Sequence, residues 1–189
     1  MRFLLLALLF AVIPTSAQHI LVKTDGTKIP VYSYTILAAK KRIDYKVNSQ
    51  TGSVKFEEID SLVVDKRVIK PFKIGNKLQL LDVIASANGK TLAVSSKIKK
   101  RERGGFESAV KYYQVYIIDK AKVQEKLAFT ASKVSSEAKK RAQFFTIVSS
   151  NFLDCNALME RLALFQNDTN TDNLILLNYL DNPERLYCK

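Results

Sequence analysis

The sequence predicts an α+β fold: an antiparallel β-hairpin or meander body, a sandwich or a partly open barrel, followed by two or three C-terminal α-helices. Three observations predict it. Asp25-Gly26 and Asn88-Gly89 each stand between β-rich runs, the signal of a two-residue hairpin, because both turn positions call for positive φ. Ile43, Tyr45 and Val47 alternate with polar neighbours, the period of a strand with one buried face. After Lys133 the apolar spacing changes from two to three and four, the period of an amphipathic helix.

In chain order, the first 17 residues read as a signal peptide. Arg2 precedes an apolar run from Phe3 to Ile13, and Pro14 is followed by Thr15, Ser16 and Ala17, the small residues a signal peptidase requires. A helix of that run rises about 16 Å, roughly half the hydrocarbon thickness, so it is too short to span a membrane. The mature chain is expected to start at Gln18, to carry no transmembrane segment, and to reside in the periplasm or outside the cell. Removal of Arg2 lowers the formal charge from +12 to +11. In that setting a basic protein meets an anionic envelope component or another envelope protein, and nucleic acid is not an expected partner.

The mature chain divides into a hairpin unit over residues 18–72 and a meander with helices over 73–189, or forms one continuous domain over 18–189. The first unit holds the Asp25-Gly26 hairpin, a second hairpin turning near Gly52, and a strand ending near Pro71, a seam between two β units. The second begins with the Asn88-Gly89 hairpin, flanked by Leu80 to Ala85 and Thr91 to Ser95. A strand follows from Tyr112 to Ile118, and "KLAFTAS" supplies a last one. A helix is expected over Lys133 to Leu153, with Val134, Ala138, Ala142, Phe145, Val148 and Phe152 inward and Ser132 or Ser135 as its cap. A second runs from about Asn156 to Phe165, capped by Asp154, with Leu158, Leu162 and Phe165 inward. "QNDTNTDN" is a polar loop before a short helix from Leu174 to Leu180, which ends at Asn182-Pro183.

Cys155 and Cys188 are the two cysteines, and an even count in an oxidising compartment favours a disulfide between them. The chemistry of catalysis is sparse. His19 is the sole histidine and lies beside the cleavage site, so neither a Ser-His-Asp triad nor a zinc site is expected. There is no CxxC, no phosphate-binding glycine loop and no EF-hand spacing, and no cofactor is expected.

The segments "VKTDGTKIPVYSYTI", "KRIDYKV" and "VKFEEIDSLVV", together with "SSNFLDCNALMERL", resemble small exported proteins of unknown function from Bacteroidota. The likeness rests on the Asp-Gly turn and on Phe152, Asp154, Cys155, Leu158 and Leu162 at the start of a leucine-rich helix. Ala17-Gln18 at the cleavage point fits the same group. The resemblance brings no catalytic residue with it.

The most distinctive segment is "SSKIKKRERGGFESAVKYYQVYIID", with Lys97, Lys99, Lys100, Arg101 and Arg103 ahead of Gly104-Gly105. Its cations and tyrosines suit a polyanion, while its position between "TLAVSS" and "YYQVYIID" predicts a hydrated hairpin loop, the candidate site for an anionic partner. The expected function is therefore that of an exported, non-enzymatic binding or structural module of the envelope. The alternative is a carboxylate-dependent hydrolase of envelope or extracellular glycans, drawing on Asp44, Glu57, Glu58 and Asp60.

Overall fold

The computed structural model describes residues 19–103, 106–169, 174, 177–184 and 186–188, so the signal peptide over 1–17 and the middle of the polar loop lie outside the described residues. The chain is α+β, with antiparallel strands in two open sheets and short helices at its C-terminal end. Strands β1 (His19–Lys23), β2 (Lys28–Val31), β3 (Ser33–Leu37), β4 (Arg42–Val47) and β5 (Gln50–Lys55) come first. Then follow β6 (Ile59–Val64), β7 (Arg67–Ile74), β8 (Lys77–Ala87), β9 (Lys90–Arg103), β10 (Phe106–Asp119) and β11 (Lys122–Thr130). Helices α1 (Ser135–Phe152), α2 (Asn156–Leu162) and α3 (Leu177–Asp181) precede a terminal β12 (Leu186–Tyr187). The large sheet runs β11-β10-β9-β8-β7-β6-β1-β2, with β12 parallel to β8, and β3-β4-β5 form a small second sheet.

The turns follow local chemistry, with two corrections to expectation. Asn88 and Gly89 have φ of 51° and 77° and join Ala87 to Lys90 as a two-residue turn. At the first hairpin only Gly26 is at positive φ, 85°. The Asp25 carboxylate accepts from the Thr27 N–H at 2.9 Å and the Lys23 N–H donates to the Thr27 carbonyl, which makes this turn longer than two residues. The second hairpin turns at Asn48-Ser49, where Asn48 is at φ 54°, and Gly52 lies inside β5 opposite Tyr45. A Cβ at Gly52 would stand 2.6 Å from the Tyr45 ring, so glycine is there to let the ring lie across the strand. Pro71 lies within β7 opposite Leu80, past the last β6–β7 pair at Ile69, where a missing N–H removes no bond to β6.

One face of the large sheet carries two cores side by side. Leu21, Ile43, Phe56, Ile59 and Leu62 join it to the β3–β5 sheet. Further along, Tyr113, Val115 and Phe129 meet Phe144, Leu158 and Phe165 of the helical layer. Between these cores Arg67 Nη2 donates to Asp82 at 2.7 Å, and burial nevertheless raises the Asp82 carboxyl above its usual range. On the opposite face the sheet curls, so that Phe72 and Ile74 of β7 share a third cluster with Ala93, Tyr116 and Ile118.

Helix α1 is rotated from the expected stripe by about one residue. Glu137, Ala138, Arg141, Phe144, Val148 and Phe152 are buried, while Val134 is exposed and Phe145 half-buried. Val134 occupies the cap position without a side-chain bond, and the Ser132 hydroxyl accepts from the Val134 N–H instead. The physical reason is polar. Arg141 is fully buried, with Nη1 donating to the Thr130 and Ser132 carbonyls, and Glu137 accepts from the Thr130 N–H and from Lys140. A period count that reads Arg and Glu as solvent-facing cannot place them inward. Helix α2 starts after Cys155 rather than after an Asp154 cap and passes into a 3-10 turn at Ala163–Gln166, with Leu158, Leu162 and Phe165 buried as expected.

Burial alone pushes the Glu137 carboxyl up, but the bonds from Lys140 and Thr130 outweigh it and hold the group below the usual carboxylate range. A depressed carboxylate stabilises the fold above its unfolded value and loses that contribution as pH falls through the folded value. Thermal melts should therefore show native protein more stable than Glu137→Gln at pH 6, with the gap closing once pH drops below about 4.3. A gap that does not narrow as pH falls below about 4.3 contradicts this assignment.

Candidate functional site

The basic segment is not a loop. Lys97 to Arg103 belong to β9, which stays paired with β10 from Lys90↔Asp119 out to Arg103↔Phe106. Gly104 and Gly105, the intervening residues, lie outside the described ones. The reading as a loop missed the strand because repeated cations are weak strand formers, and here pairing with a Tyr- and Val-rich partner overrides that preference.

The neighbours of this hairpin end early. Strand β8 pairs with β9 no farther than Asp82↔Val94, and β11 pairs with β10 no farther than Tyr112↔Thr130, with one last bond from the Ala131 N–H to the Lys111 carbonyl. Among the described residues, the hairpin beyond them is a two-stranded ribbon with open outer edges. From Ser95 to Arg103 it reaches about 30 Å at the usual rise per residue. Its cations occupy both faces, because alternation puts Lys97 and Lys99 on one and Lys100 on the other. Lys97, Lys99 and Lys100 are exposed, and Lys99 Nζ lies 5.0 Å from the Tyr112 ring centroid. At the base, Lys111 pairs with Asp181 of α3, and Tyr113 donates to the same carboxylate at 2.8 Å, so the ribbon is anchored on the helical layer. Burial, followed by the Asp181 contact, keeps Tyr113 protonated by raising its pKa.

A second polar surface was not singled out in the sequence. The outward side of the β3–β5 sheet is a concavity of about 410 Å³. Two polar cross-strand rows line it, Thr35, Asp44 and Ser53, then Ser33, Lys46 and Thr51, and the row between them, Tyr34, Tyr45 and Gly52, borders it as well. Arg42 holds Asp44 from the end, Nε to Oδ1 at 2.9 Å and Nη2 to Oδ2 at 3.2 Å. Alternating polar residues on a strand normally mean a plain solvated face, so only the curvature of the folded sheet distinguishes this one.

The carboxylates considered for hydrolysis are distributed among separate contacts. Asp44 is paired with Arg42 in the concavity. Glu58 accepts from the Lys55 N–H at 3.2 Å, and exposed Glu57 precedes it in a 3-10 turn. Asp60 lies on β6 with Lys70 at 3.4 Å and Ser61 at 3.0 Å. Of the four, Asp44 alone borders the concavity. Among the described residues no three His, Cys, Asp or Glu side chains are gathered in a way that could hold a metal ion, and no helix is long and apolar enough to cross a membrane.

Cys155 and Cys188 are bonded, with Cα atoms 4.7 Å apart. The bond ties the junction of α1 and α2 to the tail, whose β12 pairs with Ala85 and Ser86 of β8. Pairing of β7 with β8 stops at Val68↔Val83, and β12 takes the open position beyond it.

No family model, no curated protein and no solved structure matches the chain.

Proposed function

We propose that the chain is an exported, non-enzymatic binding module of the cell envelope whose β9–β10 ribbon captures an acidic, extended segment of a partner protein. The observation that carries this reading is the ribbon itself, cationic on both faces and open along the β9 edge beyond Val94. A flat anionic surface engages one face of such a ribbon. A strand laid along the edge reaches the cations of both faces and also satisfies backbone groups that the fold leaves to water. The same cations repel a second copy of β9 and so protect the open edge from self-pairing.

The test uses a polyglutamate peptide as probe. The mature protein should bind it at low salt and release it as ionic strength rises. Replacing Lys97, Lys99, Lys100, Arg101 and Arg103 by Gln should weaken binding about 10- to 100-fold, at a fraction of a kcal/mol per exposed pair, and should leave the melting temperature nearly unchanged. Poly-γ-glutamate, which has the charge without an α-peptide backbone, should bind more weakly than the peptide. Equal binding of the two polymers, or stronger binding to anionic vesicles than to either, overturns strand addition. A large loss of thermal stability in the variant contradicts the exposed positions of Lys97, Lys99 and Lys100.

A further inference from the structure

We infer that the concave outer side of the β3–β5 sheet is a binding site for a small hydroxylated carboxylate, a sugar acid. The hollow of about 410 Å³ falls in the size range of small-molecule sites. The chemistry of its floor narrows the class. Thr35 and Ser53 flank Asp44, and Ser33 and Thr51 flank Lys46, each directly opposite across the strands. None of the four hydroxyls makes a side-chain hydrogen bond within the protein among the described residues, and Lys46 has no carboxylate partner there. Donors and acceptors are thus held by backbone pairing around a fixed centre, with their hydrogen-bonding capacity unspent.

Each group has a counterpart in such a ligand. The Asp44 carboxylate, ion-paired with Arg42, is an acceptor for ligand hydroxyls, and the four serine and threonine hydroxyls donate or accept as needed. Lys46 supplies a cation for the ligand carboxylate. Tyr34 and Tyr45 are half-buried against the core, with Tyr45 across Gly52, and all three residues also border the hollow beside the polar rows. The carboxylate of the ligand is the group that Lys46 selects, and its hydroxyls are the groups that the serine and threonine rows select. The site is separate from the β9–β10 ribbon and independent of the function proposed for it.

The experiment is a titration of the isotopically labelled mature protein with D-glucuronate, followed by amide chemical shifts, with glucose and acetate as arms. Saturable shifts confined to β3, β4 and β5 are expected with glucuronate and not with glucose or acetate. Lys46→Gln, which removes no contact that holds the fold, should weaken binding about fivefold, the effect of one exposed charge pair. Asp44→Asn should weaken it further while the spectrum remains that of a folded protein. Tighter binding of digalacturonate than of the monomer assigns the site to a glycan, and equal binding assigns it to a free acid. No saturation with glucuronate, shifts spread over β9 and β10, or an equal response to acetate overturns the proposal.

Discussion

Breaking the Cys155–Cys188 bond should lower the stability of the protein by about 3–4 kcal/mol, the chain-entropy value for a loop of this length. For a domain of this size that corresponds to a fall of about 10 °C in melting temperature. The measurement is a thermal melt of the Cys155→Ser/Cys188→Ser variant beside the native protein with and without reductant. The effect has a location as well as a size. The tail reaches the large sheet through the short β12, which pairs with Ala85 and Ser86 alone. Freed from Cys155, the tail keeps, among the described residues, only that short pairing and the exposed Lys66–Glu184 contact at 3.3 Å as polar links to the sheet, so the amides of Leu186 and Tyr187 should lose exchange protection before those of β8. A shift below about 2 °C in the variant would mean that the remaining contacts of the tail already fix it.

Phe144→Ala should cost about 3–5 kcal/mol, the range for deleting a buried phenylalanine. The ring is fully buried in α1, with its centroid 5.8 Å from that of Phe129 on β11 and 6.0 Å from that of Phe165 after α2. It therefore sits where helical layer and sheet meet, and neighbours on three elements cannot all close the space it leaves. Urea unfolding should show a lower midpoint with an unchanged slope. Phe145→Ala removes a half-buried ring and should cost less than half as much. The ranking of these two adjacent residues tests which face of α1 points inward, since the apolar spacing of the sequence favours Phe145. Equal losses would contradict the observed rotation of the helix.

Much of the architecture is legible in local sequence. Asn88-Gly89 states its turn, the alternation at Ile43, Tyr45 and Val47 states its strand, and Leu158, Leu162 and Phe165 state the inward side of α2. The misreadings have a shared physical origin. Gly52 looks like a turn residue, but it is a strand residue because the Tyr45 ring on the neighbouring strand needs the space of its missing side chain. Glu137 and Arg141 look solvent-facing, but backbone groups of Thr130 and Ser132 bond them inside. Lys97 to Arg103 look like a loop, but β10 supplies a partner along their whole length. In each case a residue distant in the chain or across a strand pair outweighs a local preference.

The candidate sites divide in the same way. The sequence by itself determined the α+β order, the position of most strands and helices, the expectation of export, and the cations that now define the ribbon. It also named the two cysteines, because pairing in an oxidising compartment depends on their number. Only the tertiary structure decided that those cations line an open-edged ribbon, since that depends on where β8 and β11 stop pairing. It alone decided that Asp44, Lys46 and four hydroxyls meet in a hollow, because a strand's residue pattern states which side faces out and says nothing of how the sheet curves.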